Sequence, residues 1–122
     1  MPREEWKLRT PTAQTCPECG GAMAEESQGR VSRYRCHIGH VMTAEVLAAA
    51  QLEALENGVS AVLRTLNERA ALCNELADKH LARGDDEAAA AWRRAAEEAL
   101  RREQAIQDLS KADWNHPETL SD

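Results

Sequence analysis

The 122-residue sequence predicts a mostly α fold, in which a small N-terminal β-hairpin closed by cysteines and histidines precedes a long antiparallel helical hairpin. Three observations predict it. Hydrophobic residues make up 43% of the chain but aromatics only 3%, with no Phe, which disfavours a sandwich or barrel against alanine- and leucine-rich helices. Apolar residues recur at steps of three and four through most of residues 43–112. Three of the four cysteines and two of the four histidines crowd into residues 16–40. A chain of this length fits one domain and is too small for several independent cores.

Residues 1–14 hold Trp6 and Leu8 among charges and two prolines, and read as an extended arm. Residues 15–42 form the next unit. Cys16 and Cys19 stand two residues apart in Cys-Pro-Glu-Cys-Gly-Gly, and Cys36 opens Cys-His-Ile-Gly-His. In a reducing compartment, clustered Cys and His point to a metal rather than to disulfides. A Cys-x-x-Cys turn lets two thiolates converge on one ion, and a second turn must supply the rest. Cys16, Cys19, Cys36 and His40 then make a closed Cys3His set that suits one structural Zn²⁺ per chain and leaves no open position for water. His37 follows Cys36 directly, and neighbours in an extended segment point to opposite faces. His40 follows Gly39, which can turn the chain back, so His40 is favoured as the ligand, with His37 as the alternative. A thioredoxin-type redox pair at Cys16/Cys19 would need a strand-to-helix junction. Here Gly20-Gly21 and a polar hairpin follow instead.

Between the two metal knuckles, Ala22–Glu26 and Arg30–Cys36 read as strands joined at Ser27-Gln28-Gly29. Alternation puts Tyr34 on the face of Cys36, where it can pack over the ion. The whole is a zinc-ribbon-like hairpin, too small to fold without its metal. Three thiolates and a neutral imidazole around Zn²⁺ leave a charge of about −1. Arg33 and Arg35 stand close enough in sequence to offset it.

Residues 43–112 read as the helical hairpin, split into helices over about 43–83 and 86–112, followed by a tail at 113–122. Thr43 is the expected N-cap, with Glu45 in the first turn. Leu52, Leu55, Val59, Val62 and Leu66 step by three and four, and Ala70, Cys73, Ala77 and His80 continue the stripe. Asn57-Gly58 is a turn signal, but the register runs through it, so one continuous helix is expected. Gly84 ends it and Asp85 caps the next. There Ala88, Trp92, Ala95, Ala99, Arg102, Ile106 and Leu109 alternate by four and three, the seam of an antiparallel coiled-coil pair. At 1.5 Å per residue the helices span about 60 and about 40 Å. The first fifteen or so residues of helix one, with Val46, Leu47, Leu52 and Leu55, therefore need other cover, by the same length estimate. A two-helix hairpin also has a thin core, which predicts a homodimer through the helices, merging into a four-helix bundle.

Charge narrows the function classes. Fifteen basic and 21 acidic residues give a net charge of −6. Residues 1–42 carry six basic and five acidic groups, residues 43–83 four and six, and residues 84–122 five and ten. A general nucleic-acid binder needs a cationic surface, so nucleic acid is an unlikely partner, although Arg30, Arg33 and Arg35 beside Tyr34 keep a nucleic-acid-binding zinc ribbon as the alternative. No stretch approaches a membrane span and no basic-then-apolar leader opens the chain, so a soluble, cytoplasmic protein is expected.

Catalysis is not expected either. Cys73 has only Arg69 nearby as a basic group, and His80 sits on the helical seam. His116 precedes Pro117 in the tail, and Glu97 and Glu98 face different directions on a helix.

The motifs Thr15-Cys16-Pro17-Glu18-Cys19-Gly20-Gly21 and Tyr34-Arg35-Cys36-His37-Ile38-Gly39-His40 precede an Ala/Leu-rich helix with Leu52-Glu53-Ala54-Leu55-Glu56 and Leu66-Asn67-Glu68-Arg69-Ala70. Over roughly residues 14–105 this resembles a C-terminal extension found on some bacterial chemotaxis protein-glutamate methylesterases, the CheB-like proteins. The two knuckles are its specific part, and only Cys16, Cys19, Cys36 and His40 match as metal positions. The Ser-His-Asp triad of that family belongs to a separate, much longer domain with no counterpart here, so the resemblance implies no methylesterase activity. It implies a zinc-stabilised, non-catalytic helical module for interaction with an unidentified protein partner or for dimerisation, in bacterial signalling.

Overall fold

The computed structural model describes residues 11–117. Most of the expected arm, with Trp6 and Leu8, and the last tail residues, with Leu120, lie outside the described residues. Four strands, β1 (Pro11–Thr15), β2 (Ala22–Gln28), β3 (Val31–Cys36) and β4 (Val41–Thr43), precede two helices, α1 (Ala44–Ala82) and α2 (Asp86–Ser110). The strands form one antiparallel sheet in the order β1-β2-β3-β4. The fold is thus mostly α with a β start, as the composition predicts.

The sheet is larger than the two-stranded hairpin read from sequence. Pro11–Thr15, at the end of the stretch read as an arm, pairs with β2, and Val41–Thr43 pairs with β3 through Tyr34↔Met42. The turn between β2 and β3 is tighter than expected, since Gln28 pairs with Val31 and only Gly29-Arg30 remain to close it.

α1 runs unbroken through Asn57-Gly58. At its start Thr43 Oγ1 accepts the Val46 N–H at 3.3 Å, the expected cap. The break falls at Gly84, and the Asp85 carboxylate then caps α2 by accepting from the Ala88 N–H at 3.3 Å. α2 ends at Ser110, two residues before the expected end, and Trp114 in the following irregular segment is half exposed.

The described residues divide into two compact units, one up to Leu55 together with His116 and Pro117, the other Glu56–Asn115. The first has a core of Cys16, Met23, Cys36 and Leu47, with Tyr34 and Met42 packed against it. Leu47, one of the four apolar residues for which the helix lengths demand cover, is therefore covered by the sheet, whereas Val46 and Leu55 are exposed. Gln51 of α1 also donates to Gln14 of β1.

The second unit is the helical pair. Its buried side chains are Ala70, Cys73 and Ala77 of α1 and Ala89, Ala96 and Ala99 of α2. The α1 seam follows the expected stripe from Ala70 onward. On α2 it is rotated: Leu109 is 77% exposed and Arg102 is exposed, while Ala89 and Ala96 take the buried positions. Alanine periodicity could not distinguish these registers, because in Ala88-Ala89-Ala90-Ala91 and Ala95-Ala96 small residues fill adjacent faces.

By length and composition alone α1 is long and apolar enough to cross a bilayer, which the sequence reading of no span-length stretch did not allow for. Glu53 and Glu56 interrupt its N-terminal half with carboxylates that hydrocarbon disfavours.

Candidate metal centre

In an up-and-down sheet the β1–β2 and β3–β4 connections emerge at the same end, and pairing of Met23 with Cys36 brings them side by side. The first connection carries Cys16 and Cys19, the second begins at Cys36 and ends at His40. Backbone bonds shape each into a knuckle. Cys16 donates to the Gly21 carbonyl and Gly20 to the Cys16 carbonyl, both at 2.7 Å; Cys36 donates to the His40 carbonyl at 3.0 Å and Gly39 to the Cys36 carbonyl at 3.1 Å. Gly39 adopts φ +116°, a conformation that L side chains rarely adopt, and this turns His40 back toward Cys36.

The four expected donors converge: the sulfurs of Cys16, Cys19 and Cys36 and a ring nitrogen of His40 all lie within 4.8 Å of one another. His40 Nδ1 is 3.5 Å from Cys16 Sγ and 3.3 Å from Cys36 Sγ, and the sulfurs of Cys19 and Cys36 are 3.8 Å apart. A tetrahedral ion about 2.3 Å from each sulfur and about 2.0 Å from nitrogen requires edges of about 3.8 Å between sulfurs and about 3.5 Å from sulfur to nitrogen. The residues therefore fit a four-coordinate metal. Cys16 and Cys36 are buried, Cys19 is exposed, and none of the three is in a disulfide.

The thiols are unequal. Burial pushes the Cys36 thiol up, but the backbone N–H groups of His40, Ile38 and Gly39 together outweigh it and lower the pKa from 9.0 to about 6. The His40 N–H lies 3.3 Å from Cys36 Sγ. Cys19 moves the other way. The Gly21 N–H favours its thiolate, but desolvation and the neighbouring Cys16 and Cys36 thiols raise its pKa. A cation at the centre is what would let all three ionise together.

His37 is not among the converging donors. Its ring packs on Gly21: a Cβ built there would stand 2.6 Å from His37 Cε1 and 2.9 Å from Nδ1, closer than real Cβ contacts. Gly21 is thus needed for close approach, and His37 braces the first knuckle from the second. Arg35, expected to offset the charge of the site, bonds Glu26 Oε2 through Nε at 3.1 Å. Arg33 is exposed. Sequence reasoning missed Glu18, whose Oε2 lies 3.1 Å from His40 Nε2. Its place between the two cysteines of the first knuckle was the available signal.

None of the other reactive residues is among the converging donors. Cys73 is buried in the helical pair, His80 faces Asp85 at 3.5 Å, Glu98 lies 3.7 Å from Arg102, and Glu97 and His116 are exposed. Among the described residues, the Cys3His cluster is the one place where three or more such donors converge. No protein-family model, curated protein or solved structure matches the chain.

Proposed function

We propose that this chain is a non-catalytic helical interaction module, its head held by one structural Zn²⁺ on Cys16, Cys19, Cys36 and His40, and that it acts by pairing its helices with those of a second copy. Thiolate-rich, four-coordinate sites select zinc over harder ions, and a filled shell has no position for a reacting water. The resemblance carried by the two knuckles supports a place in bacterial signalling.

The observation that carries the reading is the apolar surface that the helical pair leaves exposed around a thin core. Arg93 of α2 donates to Asn74 Oδ1 at 2.8 Å and to Asp78 Oδ1 at 2.7 Å, both on α1. Around the pair, Val62, Leu72 and Leu81 of α1 and Leu100 and Leu109 of α2 stand exposed. Val62, Leu72 and Leu109 are 44%, 56% and 77% exposed. Among the described residues, no buried side chain of the helical unit is larger than cysteine. So thin a core gains by merging with its own copy, which covers exposed apolar side chains in a four-helix bundle.

Size-exclusion chromatography with light scattering tests this: the metal-loaded chain is expected at twice its mass of 13.5 kDa. The double variant Val62→Asp/Leu72→Asp should run as a monomer with its zinc retained. A wild-type monomer at micromolar concentration would remove self-association. Elemental analysis should find one zinc per chain, lost in Cys36→Ser.

A further inference from the structure

We infer that Glu18 is a fifth functional residue of the metal centre, which fixes the tautomer and ring orientation of His40 and thereby sets the affinity for the ion. The inference rests on the zinc reading above and deepens it.

His40 has two ring nitrogens, and the structure gives each a different neighbour. Nδ1 faces the sulfurs of Cys16 and Cys36 at 3.5 and 3.3 Å, so it is the nitrogen that can donate its lone pair to a metal. Nε2 faces the Glu18 carboxylate at 3.1 Å. A neutral imidazole that binds metal through Nδ1 carries its proton on Nε2, and there it donates to Glu18. A carboxylate in that place holds the ring plane toward the ion. It also disfavours the tautomer protonated on Nδ1, which could not ligate.

Position in the chain makes Glu18 suited to this. It sits between Cys16 and Cys19, so the knuckle that supplies two thiolates also reaches across to the histidine of the other knuckle. Glu18 thus couples the two loops without occupying a coordination position. Its side chain is 64% exposed, which screens the interaction and places its effect at the lower end of the tenfold to hundredfold range of outer carboxylates.

The test compares zinc affinity of the full chain, by competition with a chromophoric chelator, in wild type, Glu18→Ala and Glu18→Gln. Glu18→Ala should bind zinc about tenfold more weakly. Glu18→Gln keeps a carbonyl acceptor for the Nε2 proton and should fall between the two. Nitrogen-15 NMR of the zinc-loaded protein should show His40 protonated on Nε2, with that proton exchanging faster in Glu18→Ala than in wild type. Unchanged affinity and unchanged proton exchange in Glu18→Ala would overturn this role and leave the zinc centre standing. A wild-type chain that binds no zinc would overturn both.

Discussion

At the scale of single residues, the Cys3His cluster shows how much each donor depends on residues outside the cluster. His40 reaches the thiolates because Gly39 turns the chain, and the first knuckle keeps its shape because Gly21 leaves room for the His37 ring. Gly21→Ala places a methyl group against that ring, which must swing aside. The expected cost is about 1–2 kcal/mol of stability in the metal-loaded protein, within the range for overpacking. In a thermal-unfolding cycle, the same substitution should cost clearly less in a His37→Ala background; equal costs in both backgrounds would show that the two side chains do not meet. The four donors were legible in the sequence, since Cys-x-x-Cys and Cys-x3-His are spacings with a geometric meaning. The partnership of Glu18 with His40 was not, because a contact across 22 residues depends on two knuckles lying side by side, and only strand pairing decides that.

At the scale of elements, the helices were legible and the edge strands were not. Helical periodicity accumulates over 39 and 25 residues, so a single contrary signal such as Asn57-Gly58 is outvoted. β1 and β4 are five and three residues long, too short for a period of two to register, and they exist because β2 and β3 offer open edges. Gly58 itself gives a direct measurement. It lies exposed inside α1, and a Cβ there meets nothing within 4 Å. Gly58→Ala should therefore stabilise the protein by about 0.5–1 kcal/mol through helix propensity alone. A rise in the midpoint of urea unfolding with an unchanged slope would record it. A loss of stability would mean that the helix needs a flexible point there.

At the scale of the whole molecule, the sequence foretold the order of parts, a small sheet with clustered Cys and His followed by paired helices, because Gly84-Asp85 is a strong boundary and three of the four cysteines fall within the first forty residues. It did not foretell that compactness would divide within α1, after Leu55, rather than at the sheet–helix junction. Leu47 explains the difference: the first turns of α1 complete the core that contains two of the cysteines. Metal removal should accordingly unfold more than the sheet. With a strong chelator, circular dichroism should lose the strand signal together with part of the helix signal from residues 44–55, while most of the helicity of Glu56–Asn115 persists. Full retention of helix on chelation would contradict this shared core.

The alanine-and-cysteine interior of the helical unit has a thermal consequence. Methyl groups shield little hydrocarbon from water, so opening this unit in an isolated protomer adds little new hydration and only a small heat-capacity increment. Its free energy of unfolding should then trace a shallow curve with temperature, reaching a modest summit and changing slowly toward both cold and heat.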